Sequence, residues 1–463
     1  MEEKIPLFFE GLKARKVNVI GLGVTNNDLI RMMLRKGIAV TVFDRKTRPE
    51  VGALADELEA LGGVMVLGPD AMEHLDGDVI FRAPGVYFHR PELEAARAQG
   101  RVVTSELEVF FDLCPCPIIA VTGSDGKTTT TTLIAEMLRA QGYTVHLGGN
   151  IGRALLPQVE SIRPGDWAVV ELSSFQLISM RRGPRVAVVT NVSPNHLDVH
   201  KDMEEYIDAK KNILLHQDGF SKTVLGADNA VTLSFASLVR GDLNTFSRRE
   251  KVERGAWMDG DKVLWYSDGQ ERTRLMEASQ IRIPGLHNVE NMLAAVSAVW
   301  GIVSLEAIRK VAGEFGGVEH RIEFVRELDG VRWYNDSIAT SPTRTMAGLR
   351  SFDQKLIIIA GGYDKQIPFE PLAPVLVERV KLLILTGKTA GKIEAAVTAD
   401  PGFGDSGLRI LRAADLAQAV EIARREAKEG DVVSLSPACA SFDAYPNFEA
   451  RGRHFKELVR GLQ

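Results

Sequence analysis

Short apolar runs alternate with amphipathic stretches along most of the chain. The runs include "NVIGLG", "VTVFD", "IIAVTG", "WAVVE", "VAVVTN" and "LIIIAGG", and each ends at glycine or at a polar residue. Short runs rich in valine and isoleucine predict buried strands, and the stretches between them have the 3.6-residue spacing of helices. Repeated alternation of strand and helix is typical of parallel sheets covered by helices. We therefore predict an α/β protein built from doubly wound domains.

The 463 residues suit about three domains, and the pattern divides the chain accordingly. We expect a Rossmann-like domain over 1–105, a central α/β domain over 106–316 and a second Rossmann-like domain over 317–463. Inside the central domain, the stretch from "VLGADNAVTLSFASL" to "GAWMDGDKVLWYSDGQERTRL" predicts a strand-rich, small antiparallel addition with a hairpin turn at Asp259-Gly260. The Gly316-Gly317 pair marks the boundary to the third domain.

The first glycine turn, "GLGVTN", follows an apolar strand and precedes a helical pattern. Gly21 and Gly23 match the first half of a dinucleotide fingerprint, but Asn26 occupies the place of its third glycine. One interpretation is a site for a nucleotide or nucleotide-sugar phosphate at the helix start, with Asp44 near a ribose or base. An ordinary tight turn between strand and helix explains the same residues equally well.

The second loop, "GSDGKT" from Gly123 to Thr128, lies between a buried strand and a long helical pattern. It is shorter than the standard phosphate-binding loop, because Val121 stands where that loop has its first glycine. It keeps the physical parts of such a loop: free backbone N–H groups at a helix start, the charge of Lys127, and the Thr128 hydroxyl that can ligate Mg²⁺. We therefore predict a phosphate site in a central domain of the P-loop ATPase type.

Polar side chains follow two more strands of the central section. "WAVVE" ends at Glu171, and "VAVVTN" leads to Asn191, His196 and Asp198. Carboxylates and a histidine at neighbouring strand ends, beside a phosphate loop, predict a site for a hard cation such as Mg²⁺. Taken alone, His196 is better explained as an ordinary loop histidine.

Composition narrows the class of partner. The formal net charge of -5 comes without basic blocks, which favours small-molecule ligands over nucleic acid or an anionic membrane. The three cysteines form neither a disulfide framework nor a metal-ligand set, which fits a reducing cytoplasm. The N-terminal stretch lacks a signal-peptide core, and no apolar run reaches about 18 residues. We expect a cytoplasmic protein outside the membrane.

Several motifs together resemble those of one enzyme family. They are "GSDGKTTT", "ELSSFQL", "NVSPNHLDVH", "GLHNVEN", "HRIEF", "NDSIATSPT" and "SPACASFDAYPNFEARGRHF". Their order and spacing are similar to those of the Mur ligases, and the resemblance covers essentially the whole chain. In that family the short form of the glycine loop is the normal one. "ELSSFQL" and "SPACASFD" resemble in particular the members that add D-glutamate.

The resemblance implies a three-domain monomer of cytoplasmic peptidoglycan synthesis that uses ATP and Mg²⁺. ATP would phosphorylate the carboxylate of UDP-N-acetylmuramoyl-L-alanine, and the amine of D-glutamate would attack the acyl phosphate. Residues 1–105 would bind the UDP-substrate, residues 106–316 ATP, and residues 317–463 ATP and D-glutamate. Two alternatives stay open: another ligase of this architecture, such as a different muramoyl-peptide ligase or a folylpolyglutamate synthetase, and a nucleotide-dependent switch.

The same resemblance implies roles for individual residues. The ATP site would comprise Gly123, Ser124, Asp125, Gly126, Lys127, Thr128, Thr129, Asn288, Asn291, Arg321 and Asp336. Mg²⁺ would be held by Thr128, Glu171, His196 and, if it is carbamoylated, Lys210. The UDP-substrate would be bound by Gly23, Val24, Thr25, Asp44, Arg45, Gly85, Asn150, Ser173 and Gln176, and D-glutamate by Thr340, Lys365, Ser441 and Phe448. Lys127, His196 and Lys210 would be the catalytic residues.

Three positions depart from the family pattern. Ile338 stands where many members have lysine, Asn195 replaces an acidic neighbour of the loop histidine, and Ala83 replaces a serine of the first-domain turn. The Ile338 side chain therefore brings no charge to the site. On sequence alone, the adjacent Lys210 and Lys211 are most simply explained as the solvated face of a helix.

Overall fold

The computed structural model describes residues 3–196, 199–365 and 367–463; Asp198 and the side chains of Val24 and Thr25 lie outside the described part. The chain forms two compact units. Unit 1 comprises the residues up to 280 together with 290–312, and unit 2 comprises residues 281–289 and 313–463. No helix in the described ranges is both long and apolar enough to cross a lipid bilayer.

The N-terminal part of unit 1 is a five-stranded parallel sheet. Its strands are β1 (Val17–Ile20), β2 (Val40–Asp44), β3 (Val64–Leu67), β4 (Val79–Arg82) and β5 (Val102–Thr104). The helices are α1 (Lys4–Lys13), α2 (Val24–Arg35), α3 (Arg48–Val51), α4 (Ala53–Ala60), α5 (Pro91–Ala98) and α6 (Glu106–Leu113), with a 3₁₀ turn at Ala71–His74. The strand order β3-β2-β1-β4-β5 reverses between β1 and β4, so the "GLGVTN" turn leaves the sheet at its switch point. This confirms the predicted Rossmann-like arrangement.

The central part of unit 1 is a nine-stranded sheet in the order β14-β13-β12-β11-β10-β9-β6-β8-β7. The strands are β6 (Ile118–Thr122), β7 (Val145–Gly149), β8 (Trp167–Glu171), β9 (Val186–Val189), β10 (Lys222–Gly226), β11 (Asp242–Ser247), β12 (Arg254–Met258), β13 (Val263–Asp268) and β14 (Arg272–Glu277). The helices are α7 (Lys127–Ala140), α8 (Ser174–Leu177), α9 (Met203–Leu215), α10 (Ala230–Ser234), α11 (Leu286–Val299) and α12 (Leu305–Glu314), with 3₁₀ turns at Leu156–Ser161, Phe235–Leu238 and Ala278–Gln280. Of α11 and α12, residues 286–289 and 313–314 belong to unit 2. The apolar strands β6 and β9 are buried along their whole length, so the loop after β6 leaves from the middle of the sheet.

The predicted antiparallel addition is a continuation of this central sheet. β12 pairs with β11 in parallel, and β12, β13 and β14 then run antiparallel, with the predicted turn at Asp259 between β12 and β13. The prediction of a strand-rich stretch is wrong over residues 230–238, which form α10 and a 3₁₀ turn. Asn229 explains this helix, because its Oδ1 accepts hydrogen bonds from Thr232 N at 2.9 Å and Thr232 Oγ1 at 2.8 Å and so caps the first turn.

Unit 2 is built on a six-stranded sheet in the order β15-β16-β20-β17-β18-β19. The strands are β15 (Glu323–Leu328), β16 (Val331–Asn335), β17 (Leu356–Ala360), β18 (Val380–Leu385), β19 (Arg409–Arg412) and β20 (Val432–Leu435). The helices are α13 (Pro342–Leu349), α14 (Ala373–Arg379), α15 (Ala390–Thr398), α16 (Phe403–Ser406), α17 (Leu416–Glu426) and α18 (Phe448–Gly461). β15 is antiparallel to β16, and the other pairs are parallel. The second doubly wound domain is therefore confirmed.

One buried carboxylate joins the two sheets of unit 1. Glu106 begins α6, directly after the first sheet, and is 3% exposed. Its Oε1 accepts hydrogen bonds from Leu155 N at 2.7 Å and Leu156 N at 2.6 Å. Burial raises the pKa of Glu106 to about 7, although the two backbone hydrogen bonds oppose the rise. Between its ordinary pKa and about 7, the folded chain therefore keeps a proton that the unfolded chain has lost.

We expect Glu106→Gln to be more stable than the parent protein at pH 8, by on the order of 1 kcal/mol, and to lose most of this advantage at pH 5. The folded pKa is raised, so the stability that the protonated carboxyl contributes is present in acid and lost as the pH rises through about 7. The glutamine amide oxygen can still accept both backbone hydrogen bonds, and it carries no charge. Urea unfolding at the two pH values measures the difference. An advantage that does not change with pH would contradict the titration of Glu106.

Candidate active site

The predicted phosphate loop joins the centre of the large sheet to the start of α7. Gly123 has φ 152°, and a Cβ there would lie 1.9 Å from Thr190 Oγ1. Gly126 has φ 78°, and a Cβ there would lie 2.2 Å from Asn291 Oδ1. Both positions therefore require glycine, the first mainly for space and the second for space and backbone conformation. The loop is confirmed as a strand, a tight glycine turn and a helix start.

The end of β9 holds this loop in place. Asn191 O accepts a hydrogen bond from Ser124 N at 2.8 Å, and Asn191 Oδ1 accepts one from Asp125 N at 3.0 Å. Thr190 Oγ1 donates to Asp125 O at 2.6 Å. These bonds fix the backbone before any ligand binds, so the N–H groups at the start of α7 are already arranged for an anion.

Lys127 is the first residue of α7 and lies over the loop. Its Nζ donates to Gly123 O and Ser124 O, each at 3.0 Å. The ammonium is therefore beside the N–H groups of the helix start, where a phosphate would gain both from the helix dipole and from the lysine charge.

Glu171 ends β8, next to the end of β6, because Val121 pairs with Glu171 in the parallel ladder. The residue is 1% exposed, and its Oε1 accepts a hydrogen bond from Asn150 Nδ2 at 2.8 Å. Its Oε2 is buried and has no hydrogen-bond partner in the structure. A buried carboxylate oxygen without a partner is costly unless a ligand satisfies it, and a hard cation is such a ligand.

Mg²⁺ fits this arrangement on the chemistry of the donors. The orphaned oxygen of Glu171 and the hydroxyl of Thr128, in the first turn of α7, are hard oxygen donors. Among the residues that the structure describes, no group of three or more His, Cys, Asp and Glu side chains could hold a metal ion. Magnesium commonly keeps waters and phosphate oxygens as further ligands, so two protein donors suffice for its site.

Lys210, in α9, is buried under the phosphate loop rather than solvated. It is 1% exposed, and its Nζ donates to Gly123 O at 2.9 Å and to Thr122 Oγ1 at 3.4 Å, over the ring of Tyr206. Burial lowers the pKa of Lys210 to about 7, and the charge of Lys127 adds to this. The expectation that both lysines lie on a solvated helix face is therefore wrong for Lys210. It holds for Lys211, which is partly exposed and pairs with Asp208 at 2.8 Å.

His196 follows β9 at the same edge of the sheet and has φ 56°, a left-handed conformation that is uncommon outside glycine. Its ring lies edge-on to the ring of Phe175, with centroids 5.1 Å apart. The His196 loop, Glu171 and the phosphate loop thus lie together at the carboxyl ends of the neighbouring strands β9, β8 and β6. No metal-ligand role for His196 follows from these contacts, and that role stays a prediction.

The predicted UDP-substrate residues form two groups in unit 1. In the first sheet, Gly23 caps α2, and Asp44 accepts hydrogen bonds from Leu22 N at 2.6 Å and Lys46 N at 2.9 Å. Asn26, in place of the third fingerprint glycine, donates through Nδ2 to the carbonyls of residues 20 and 21 at 3.0 Å and so stabilises the turn. Exposed residues nearby are Arg45 and Gly85.

The second group lies at α8. Ser173 and Gln176 form a capping box, in which Ser173 N donates to Gln176 Oε1 at 2.8 Å and Gln176 N donates to Ser173 Oγ at 3.3 Å. Gln176 is buried, so its side-chain oxygen is used for the helix rather than offered to a ligand. The sequence motif "SSFQ" therefore has a structural explanation beside its predicted role in substrate binding.

The predicted ATP residues outside the loop are divided between the units. In unit 1, Asn291 Oδ1 accepts a hydrogen bond from Thr130 Oγ1 at 3.3 Å, close to the loop glycine. In unit 2, Asn288 donates to Pro284 O at 2.6 Å, and Arg321 is exposed. Asp336 is 4% exposed, and burial raises its pKa to about 7 against the opposing hydrogen bond from Ser436 Oγ at 2.9 Å. Its contact with a ribose stays a prediction.

The predicted D-glutamate residues lie on loops and at one helix start of unit 2. Lys365 is exposed, with its Nζ 3.5 Å from Thr340 O. Ser441 is 2% exposed, and its buried hydroxyl has no hydrogen-bond partner in the structure. Phe448 begins α18 and accepts a hydrogen bond at its carbonyl from Ser337 Oγ at 2.8 Å. A cation and an unsatisfied hydroxyl are groups that a dicarboxylate can use.

Arg451 supports these loops, and sequence reasoning did not assign it a role. Its guanidinium donates to Ser337 O at 2.9 Å, Cys439 O at 3.1 Å and Ala440 O at 3.2 Å, and its Nε donates to Ser337 Oγ at 3.0 Å. The residue is 4% exposed. The sequence does contain a signal that Arg451 is buried. It lies four residues before Phe455, on the apolar side of an amphipathic helix.

The comparisons with known proteins agree with this architecture. Residues 15–105 match the family described as "Mur ligase MurD-like, N-terminal domain", residues 121–299 the "Mur ligase middle domain", and residues 320–439 the "Mur ligase, glutamate ligase domain". Among solved structures, UDP-N-acetylmuramate-alanine ligase from Thermotoga maritima has a TM-score of 0.58 at 18% identity, covering 96% of this chain and 99% of its own. That likeness concerns the fold.

Curated relatives are similar over their full lengths. The UDP-N-acetylmuramoylalanine–D-glutamate ligase of Acetivibrio thermocellus is 51% identical, covering 100% of both chains. The enzyme of the same name from Symbiobacterium thermophilum is 51% identical over 96% of this chain and 97% of its own. The corresponding Clostridium botulinum protein is 45% identical over 100% of both. This chain therefore belongs to the Mur ligase family.

Proposed function

We propose that this protein is an ATP-dependent amide ligase that joins D-glutamate to UDP-N-acetylmuramoyl-L-alanine in peptidoglycan precursor synthesis. Full-length relatives at 51% identity carry the name of that enzyme. One observation in the structure best supports the proposal. At the carboxyl ends of β6 and β8, the phosphate loop lies beside Glu171, which has an unpartnered carboxylate oxygen, and over the buried Lys210. We further propose the domain limits 1–105, 106–316 and 317–463, a cytoplasmic location and a monomer.

The first step transfers the terminal phosphoryl group of ATP to the carboxylate of the UDP-substrate. A carboxylate oxygen forms the new P–O bond, and the bond from phosphorus to ADP breaks, leaving ADP and an acyl phosphate. Two anions must approach each other, so the loop N–H groups and Lys127 reduce their repulsion. Mg²⁺, held by Glu171 and Thr128, would supply charge neutralisation at the phosphates. His196 and Lys210 complete the proposed catalytic residues.

The second step forms the amide. The amine nitrogen of D-glutamate attacks the acyl carbon, the C–O bond to phosphate breaks, and the amine loses a proton. We propose that Lys365 holds a carboxylate of D-glutamate and that Ser441 and Thr340 donate hydrogen bonds to it. Arg451 holds the two loops that carry Thr340 and Ser441, so these two donors are in place before the amino acid arrives.

The proposal is tested by phosphate release from ATP in the presence of UDP-N-acetylmuramoyl-L-alanine and one amino acid at a time. We expect D-glutamate to stimulate release at least about tenfold more than L-glutamate or any other D- or L-amino acid, because only it places both carboxylates and the amine correctly. Stimulation by a different amino acid would indicate another ligase of this architecture. Hydrolysis that does not depend on any amino acid would indicate a nucleotide-dependent switch.

A further inference from the structure

The His200 side chain contacts four residues from two helices of unit 1, α8 and α9, although no role was assigned to it from the sequence. The residue is 2% exposed, and its side chain is completely buried. Its Nδ1 lies 3.1 Å from Glu205 Oε2, and its Nε2 lies 2.9 Å from Ser174 Oγ. Its ring stacks on Phe175, with centroids 5.0 Å apart and planes at 4°, and meets the edge of Tyr206 at 5.4 Å.

The hydrogen bonds of Glu205 fix the orientation of the His200 ring. Glu205 Oε2 also accepts a hydrogen bond from Lys201 N at 2.7 Å, and its Oε1 accepts one from Tyr87 OH at 2.5 Å, with His89 Nε2 at 4.0 Å. Burial opposes ionisation of Glu205, but these hydrogen bonds lower its pKa below the ordinary value. An ionised carboxylate only accepts, so Nδ1 of His200 carries a proton and donates to Glu205, while Nε2 shares a hydrogen bond with the Ser174 hydroxyl.

This arrangement reaches two parts of the proposed active site. Phe175, stacked on His200, also contacts the ring of His196 at 5.1 Å. On the opposite side, Tyr206 OH lies 2.9 Å from Ser124 Oγ in the phosphate loop. A displacement of the His200 ring would therefore move Phe175 and, with it, the catalytic histidine of the loop.

We propose that Tyr87, Glu205 and His200 form a positioning relay that fixes His196 through Phe175. Tyr87 belongs to the loop after β4 in the first sheet, so the relay connects the proposed UDP-substrate domain to the edge where phosphoryl transfer takes place. His200 is a positioning residue, because it touches Phe175 and not the reacting groups. The inference rests on the proposed catalytic role of His196.

The test uses the full-length enzyme with Tyr87→Phe, Glu205→Gln or His200→Phe. His200→Phe keeps an aromatic ring between Phe175 and Tyr206 and removes both side-chain hydrogen bonds. We expect it to lower kcat about tenfold and to leave the KM for ATP within about twofold, since misplacement of a catalytic group affects the reaction more than nucleotide binding. Tyr87→Phe removes the hydrogen bond from Tyr87 to Glu205, and Glu205→Gln removes the carboxylate that accepts from His200. Because each change leaves the His200 ring in place, we expect about threefold lower kcat. The exposed neighbour Glu204→Gln is the control and should stay at the parent value.

The same variants in a His196→Ala background separate the relay from the role of His196. If the relay acts through His196, His200→Phe should lower kcat no further in that background. An equal loss of kcat in both backgrounds would contradict the relay while keeping His196 catalytic. A His196→Ala enzyme with parent kcat would refute the catalytic role itself. Parent kcat with lower melting temperatures in all three relay variants would show a structural role only. If His200→Phe fails to fold, the kcat values of Tyr87→Phe and Glu205→Gln, which change partly buried side chains, decide between these outcomes.

Discussion

Lys127→Met is expected to abolish ligase activity, with a loss in kcat of about 10³-fold or more. The substitution keeps the aliphatic stem and removes the charge beside the N–H groups of the α7 start. Without that charge, the transferred phosphoryl group and the substrate carboxylate meet with their repulsion largely uncompensated. Because Lys127 Nζ also donates to Gly123 O and Ser124 O, the variant loses two hydrogen bonds inside the loop.

Phosphate release with all three substrates measures this loss, and circular dichroism and the melting temperature show whether the fold is kept. The loop has its own hydrogen bonds to Asn191, so we expect the melting temperature to fall by only a few degrees. Lys13→Ala, on the surface of α1, is the control and should keep parent activity. Turnover within about threefold of the parent in Lys127→Met would refute the assignment of the loop.

The sequence predicted those features that depend on neighbours along the chain. The "GSDGKT" loop is recognisable because strand, glycine turn and helix are consecutive, and the structure has β6, Gly123 to Gly126 and α7 in those places. Alternation of apolar runs likewise predicted the parallel sheets. The stretch over 230–238 was predicted wrongly, since the cap at Asn229 favours a helix where apolar residues alone indicate strand.

The features that the sequence did not predict depend on partners far away along the chain. His200 contacts Ser174 and Phe175 of an earlier helix as well as the nearby Glu205. Arg451 likewise contacts carbonyls more than a hundred residues earlier as well as nearby ones. Lys210 and Lys211 are adjacent and of the same type, yet one is buried and the other pairs with Asp208 at the surface. Only packing against the phosphate loop distinguishes them.

That difference gives the second large effect: Lys210→Ala should lose about 10²-fold or more in kcat, whereas Lys211→Ala should stay close to the parent. The resemblance to Mur ligases implies that Lys210 carries a carbamate. Carbon dioxide reacts with a neutral amine, and the pKa of Lys210, lowered to about 7 by burial and by Lys127, supplies that form near neutral pH. The nitrogen of the neutral amine attacks the carbon of carbon dioxide, an N–C bond forms as one C=O π bond opens onto oxygen, and the nitrogen loses one proton to solvent. The neutral amine thereby becomes an anion with two oxygens.

The structure also supports a competing explanation, because the unmodified ammonium donates to Gly123 O at 2.9 Å and so could serve only to hold the loop. The two explanations predict opposite chemical rescue of Lys210→Ala. If Lys210 carries a carbamate, the Lys210→Ala variant lacks oxygen ligands near the proposed Mg²⁺ site. Added acetate or propionate should then restore part of the activity, and the Mg²⁺ concentration that gives the half-maximal rate should fall as the carboxylate is added. If the Lys210 ammonium only holds the loop, the variant lacks a hydrogen-bond donor to Gly123 O. Methylamine should then restore activity, and carboxylates should not. Rescue by methylamine alone, or parent turnover of Lys210→Ala at limiting Mg²⁺, would refute the carbamate.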